Sequence, residues 1–305
     1  MPMDTKTYET LGLHLPLQRT KKPAPWSWTE PDGDRQYNPC SEAYPSDDVP
    51  RGDVVHIKNF SESQIFADTT RDIYIYTPHN LDKSSEPPSL AFFNDGAGYI
   101  SPDGPVRAGQ VFDSLIHSGE ISPTVGVFVN PGQLINKEAK VIVSDQRSYE
   151  YDSITPDFLN FINEEILPLV ESHLGRALHT DPARRLIGGI SSGGICAFNA
   201  AWHSPESFGR VLSHCGSFTN IRGGHNFPYL VRSTDPKQIK VFLQSGEQDL
   251  NIVPGSWSIA NQDMAAALEF SGYDYKFVYG EGAHSLRHGG AIFADSIRWL
   301  FSHKT

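Results

Sequence analysis

The amino-acid sequence predicts an α/β protein built on a doubly wound, mostly parallel sheet. Two observations carry that prediction. Short apolar segments that read as strands alternate with segments of helical spacing from about Asp72 to Phe301, the pattern that lays helices on both faces of a parallel sheet. One of those strands, Leu186-Ile187, runs through Gly189-Ile190-Ser191-Ser192-Gly193 directly into a compact helical run, Ile195 to Trp202. That is a strand, a sharp turn and a helix in immediate succession. No linker interrupts the alternation, so the 305 residues read as one domain over 51–305 with an N-terminal extension over 1–50.

Taken in order, the extension is polar and proline-rich, with Trp26, Trp28 and Tyr37 as the residues expected to pack an extended arm onto the domain. Val54 to Lys58 and Arg71 to Tyr76 alternate as strands, and Ser89 to Phe93 follows a turn at Thr77-Pro78. Pro105 to Ser118 carries Val111, Phe112, Leu115 and Ile116 on one helical face, and Thr124 to Val129 reads as a buried strand. Thr155-Pro156 opens a long helix as cap and first residue, with Phe158, Phe161, Ile162, Ile166 and Leu169 as its core stripe. After the Ser191 turn come strands at Arg210–His214, Lys240–Ser245 and Tyr273–Tyr279, and helices at Gln262–Phe270 and Phe293–Phe301.

Composition excludes several classes. The formal net charge of -11 argues against general nucleic-acid binding and favours a neutral or cationic small molecule. Cys40, Cys196 and Cys215 are few, odd in number and without zinc-site spacing, which points to free thiols, a reducing compartment and a cytoplasmic location. The start of the chain lacks a secretory pattern, and no apolar run is long enough for a bilayer.

The chemistry is written around Ser191. A serine on a Gly-x-Ser-x-Gly turn is held in a strained backbone with its hydroxyl presented above the sheet. That hydroxyl is a poor nucleophile until a base takes its proton, and a carboxylate must orient the base. Both occur downstream in the order expected of such a triad. Asp249 follows the Lys240–Ser245 strand, with Glu247 on the same loop as the other candidate acid. His284 follows the next strand in Gly282-Ala283-His284-Ser285, while His288 and His303 read as a helix-start residue and a chain-end residue. Negative charge developing on a substrate carbonyl needs donors. The Ser192 amide is one, and Ala97, or alternatively Gly96, in the small-residue loop after Ser89–Phe93 is the other. Arg147 and Glu150 suit either a substrate carbonyl or a bracing ion pair. Phe218, Trp257 and Tyr99 suit either an apolar pocket or the core.

From about residue 70 onward the chain resembles the putative-esterase family that includes enterochelin (siderophore) esterases, feruloyl esterases and S-formylglutathione hydrolases. The matching segments are Phe93-Asn94-Asp95-Gly96, Arg147-Ser148-Tyr149-Glu150-Tyr151, Gly189 to Gly194, Gly216-Ser217-Phe218 and Gly282-Ala283-His284-Ser285. It is most similar to the enterochelin-esterase branch. The resemblance implies an α/β-hydrolase fold and ester hydrolysis through an acyl-enzyme, with neither metal nor other cofactor. It maps the nucleophile onto Ser191, the base onto His284 and the acid onto Asp249. The expected partner is a small-molecule ester, foremost a siderophore-like hydroxy-acid ester, with an aryl or sugar ester of the feruloyl type as the alternative. A non-catalytic binding protein on the same scaffold is the reading from outside enzymology.

Overall fold

The computed structural model describes residues 32–79, 81–136, 138–139 and 141–302. Trp26 and Trp28 lie outside the described residues. Pro31–Thr305 form one compact unit, which carries the packed part of the chain ahead of the boundary expected at residue 51.

Ten strands make the main sheet. They are β1 (Asp53–Phe60), β2 (Thr69–Thr77), β3 (Ser89–Asn94), β4 (Thr124–Val129), β5 (Gln133–Asn136), β6 (Val141–Asp145), β7 (Arg185–Ile190), β8 (Arg210–His214), β9 (Lys240–Gln248) and, after the two-residue hairpin β10 (Asn251–Ile252) and β11 (Gly255–Ser256), β12 (Asp274–Ala283). Their order is β12-β9-β8-β7-β3-β4-β2-β5-β6, with β1 also bonded to β2. The pairs from β12 through β4 are parallel, and those involving β1, β2, β5 and β6 are antiparallel.

Helices lie on both faces because the central strands are apolar on both faces. Every residue of β3 and β4 is buried. Successive side chains of a strand point to opposite sides. Leu90 and Phe92 accordingly join one cluster with Phe158, Phe161, Ile195 and Phe198. Ala91 and Phe93 join the other with Phe112, Phe293 and Ile297. Phe93 alone stacks on Phe128 at 5.3 Å and meets Phe293 at 5.7 Å, and burying such a side chain stabilises by about 1.5–3 kcal/mol.

The helices are α1 (Gly96–Ile100), α2 (Ala108–His117), α3 (Arg147–Asp152), α4 (Asp157–Phe161), α5 (Leu167–Leu174), α6 (Ser192–His203), α7 (Phe227–Ser233), α8 (Trp257–Phe270), α9 (Leu286–Ala291) and α10 (Phe293–Phe301). The long helix expected from Thr155-Pro156 begins at Asp157 instead, with Pro156 as its cap. It passes through a π-helical turn, Ile162–Ile166, before α5. Helix α8 starts earlier than its apolar stripe implied, because the Ser256 side chain caps it at the Ile259 amide. The β5–β6 hairpin and the short helices α1, α3, α7 and α9 are additions to the sequence reading. Among the described residues no helix is long and apolar enough to cross a membrane.

The winding of the sheet reverses between β3 and β7. From β3 the chain crosses to β4 on one side, then returns to β7 and runs outward through β8, β9 and β12 on the other. The carboxyl ends of β3 and β7 therefore flank a crevice, the place where such sheets bind their ligands.

Candidate active site

Ser191 sits on that crevice, directly after β7. Its backbone has φ 58° and ψ -120°, a conformation L-residues rarely adopt, and one that lifts the side chain out of the strand. The flanking glycines make the turn possible. A Cβ on Gly189 would stand 2.4 Å from the Gly193 carbonyl oxygen, and one on Gly193 would stand 2.7 Å from Asp95 Oδ2. Asn94 Nδ2 donates to the Gly193 carbonyl at 2.9 Å, which ties the turn to the loop after β3. Helix α6 is buried from Ser192 through Trp202, and its small residues let it lie close to the sheet.

The predicted acid and base come to the same place from 58 and 93 residues away along the chain (249 − 191 and 284 − 191). His284 Nε2 lies 2.8 Å from Ser191 Oγ, and His284 Nδ1 lies 2.6 Å from Asp249 Oδ1. Asp249 is buried, and its other oxygen accepts from Ser245 Oγ at 2.7 Å. Glu247, the competing acid, is exposed near the end of β9. The Trp257 indole meets the His284 ring edge to face at 5.7 Å.

Ser217 was not predicted as a functional residue, although its neighbour Phe218 was considered for the pocket. Its Oγ lies 3.2 Å from Ser191 Oγ and accepts from Trp257 Nε1 at 3.0 Å. An indole N–H can only donate, and a hydroxyl can accept twice as well as donate, so where Ser191 gives its own proton to His284 the Ser217 proton points at Ser191 Oγ. The proton of Ser191 then points at His284 Nε2, and Nδ1 carries the proton shared with Asp249. With the Asp249 carboxylate accepting from Nδ1, Nε2 is the acceptor for the Ser191 proton, the direction that primes a hydroxyl for deprotonation.

The other candidate residues fall between the alternatives as follows. The Ala97 amide is used inside the protein, donating to Asn130 Oδ1 at 2.9 Å. Gly96, the alternative, opens helix α1, as Ser192 opens α6, and first-turn amides have no intrahelical acceptor. Glu150 does not face a ligand: it is buried in a two-bond pair with Arg71, at 2.8 and 2.7 Å, and accepts from the Gly132 amide. Arg147 grips Asp95 through two bonds, at 2.7 and 2.8 Å, and donates to the Ile190 carbonyl. It braces the loop after β3 against the residue before the nucleophile. Tyr99 is wholly buried, its hydroxyl 3.0 Å from His214 Nδ1. Phe218 is core, edge-on to Phe198 at 5.7 Å. Of the aromatic residues considered for the pocket, Trp257 is the one in contact with the base.

Polar groups buried around the crevice are shifted by their surroundings. Burial pushes the Asp152 carboxyl up, against hydrogen bonds from Ser148 and Ser192 that lower it. Burial, with His288 close by, holds His214 down at about 3. Cys215 Sγ shares a 4.8 Å neighbourhood with Asp249 and His284. Burial raises that thiol well above its usual range, and the carboxylate and imidazole of this group are already bonded to each other. A groove of about 970 Å³, lined in part by Tyr44, Tyr74, Tyr76 and Asp113, reaches the loop after β3 at Ala97. None of Ser191, Asp249 and His284 lines it.

Comparison with known proteins adds the following. The sequence profile of the family described as "Putative esterase" matches residues 63–296. The chain is 26% identical over 251 residues to an iron(III) enterobactin esterase of Dickeya dadantii, covering 77% of this chain and 52% of that protein. It thus spans about half the length of the curated relatives it matches. Among solved structures, the ferric enterobactin esterase of Salmonella typhimurium superposes with a TM-score of 0.65 at 22% identity, covering 83% of this chain and 59% of that one. A ferulic acid esterase superposes at 0.63 and 16% identity, covering 83% of this chain and 99% of that one. The fold is the α/β-hydrolase fold.

Proposed function

The chain belongs to the "Putative esterase" family, and from that premise we propose that it is a serine carboxylic-ester hydrolase working through an acyl-enzyme. The observation that carries the proposal is the continuous bond chain from Asp249 through His284 to Ser191 Oγ. In this reading His284 Nε2 takes the hydroxyl proton as Ser191 Oγ adds to the ester carbonyl carbon. The oxygen that becomes negative is met by first-turn amides, Ser192 and Gly96. Collapse breaks the bond to the alcohol, which leaves with the proton from Nε2. Water then adds to the acyl carbon by the same route in reverse, and Asp249 stabilises the imidazolium throughout.

For the substrate we propose a siderophore-like hydroxy-acid ester. Similarity to esterases of iron(III) enterobactin and iron(III) salmochelin supports the class, while the net charge of -11 favours its neutral members. Three unpaired thiols support the cytoplasmic setting as part of the same proposal.

A fluorophosphonate probe should label Ser191, and Ser191→Ala should lower turnover by about 10⁴-fold or more. An unlabelled protein would be a binding scaffold. Product analysis on neutral ferric trihydroxamate esters, ferric catecholate triesters and hydroxycinnamate esters sets the class. The neutral esters should turn over fastest, and a preference for either other group overturns the substrate assignment while leaving the mechanism intact.

A further inference from the structure

We infer that Asp34, from the segment before the family-matched region, is a positioning residue for His284. The inference rests on the hydrolase reading above. Asp34 is 2% exposed, and its two oxygens are spent on the two chain neighbours of the imidazole. Oδ1 accepts from the Ala283 amide at 2.8 Å, and Oδ2 accepts from Ser285 Oγ at 2.6 Å. Ser285 in turn caps helix α9, accepting from the Arg287 amide at 3.1 Å. One carboxylate therefore fixes the peptide entering His284 and the cap leaving it.

The surrounding contacts belong to the same clasp. The Tyr37 ring stacks on His288 at 4.1 Å, and its hydroxyl accepts from the Glu281 amide at 3.2 Å. Gln36 Nε2 donates to Glu281 Oε2 at 3.1 Å, and the Gly33 amide donates to Gln248 Oε1 at 3.3 Å, one residue ahead of the acid. A Cβ on Gly33 would stand 2.1 Å from the Glu281 carbonyl oxygen, so the segment lies flush against the strand that bears the base. That strand, β12, is the sheet edge, bonded to β9 alone, and its register shifts between Gly280 and Ala283. An imidazole at the end of an irregular edge strand needs an external anchor. A buried carboxylate is suited to the task, because charge-assisted bonds to N–H and O–H groups are short and strong.

The consequence is geometric. His284 must hold Nε2 within about 0.5 Å of its place to serve Ser191, and a displacement of about 1 Å costs on the order of 10²-fold. Asp34→Ala should lower kcat by roughly 10- to 100-fold with KM within about threefold. Asp34→Asn keeps an acceptor for Ala283 and a polar partner for Ser285. It should recover to within about fivefold of the parent, with the pH profile of kcat/KM unmoved. Hydrogen exchange read by mass spectrometry on peptides spanning 281–286 should speed up in Asp34→Ala, independently of any turnover.

If Asp34→Ala does not fold, Ser285→Ala removes one of the two bonds and should show the same two effects more weakly. Unchanged exchange over 281–286, or kcat within twofold of the parent in a folded variant, overturns the inference. So does an Asn variant as impaired as the Ala variant while its exchange over 281–286 matches the parent, which would mean that charge rather than placement is at work. A parent protein inert toward every ester would defeat the hydrolase reading instead, and the exchange measurement would still decide on the clasp.

Discussion

Ser191 stands on β7, which is paired on both sides and buried from Leu186 to Gly189, whereas His284 stands at the end of β12, which is bonded on one side and half exposed along most of its length. The nucleophile is held by what is next to it in sequence: two glycines, a strained turn and the helix that follows. The base is held by Asp249 and Trp257, and the segment that carries it by Asp34 and Tyr37, all distant along the chain. One side of the crevice is thus specified locally and the other by long-range bonds, and substitutions should act differently on the two.

The largest effect expected on the long-range side is at the acid. Asp249→Asn should lower kcat by about 10⁴-fold, because an amide stabilises the wrong tautomer of His284, while Glu247→Gln should stay within about twofold. If the two results came out reversed, the geometry of the base side would have to be redrawn around Glu247.

The seam between the two sides gives the next effect. His214, at the end of β8, packs beneath α9; a Cβ on Gly289 would touch its ring at 2.7 Å. Its pKa is depressed to about 3 by burial and by His288, and burial lowers His288 too. The native state therefore refuses a proton that the unfolded chain accepts below about 6.5. Stability is fully present above that pH and is lost as pH falls toward 3, by up to about 1.4 kcal/mol per pH unit for this one group. Urea unfolding between pH 7.5 and 5 should show the slope in the parent and a shallower one in His214→Asn. Parallel curves would remove His214 from the seam.

On the local side, Ser217→Ala should be the mildest change. It deletes one hydrogen bond to the nucleophile, worth about 1 kcal/mol, and should lower kcat roughly fivefold without moving KM. No change in kcat would mean that the Trp257–Ser217 pair supports the wall rather than the hydroxyl.

The same contrast explains what could be read from the sequence. Ser191, Asp249 and His284 were visible because each follows a strand-like segment, and β3, β4, β8 and α10 were visible because burial imposes a run or a period on them. Helices α1, α3, α7 and α9 have five to seven residues, too few to display a period, and tertiary contacts stabilise them. Asp34, Ser217 and Ser245 gave no signal, since a lone small polar residue acquires a role only through what folds against it. Tyr99 and Phe218 were ambiguous for the opposite reason: an aromatic side chain reads alike whether it faces a ligand or the core. Glu150 was ambiguous because its partner, Arg71, lies 79 positions away.

The reversal of winding between β3 and β7 has one more consequence. Everything from the end of β3 to the start of β7 is a detour between two strands that pair with each other and are joined again by the bond from Asn94 to Gly193. The β5–β6 hairpin, with Val141, Ile142 and Val143 all bare to solvent, lies on that detour. Its root is tied to the site all the same, because Asp145, the last residue of β6, accepts from the amide of Arg147, and Arg147 in turn holds the carbonyl just ahead of Ser191.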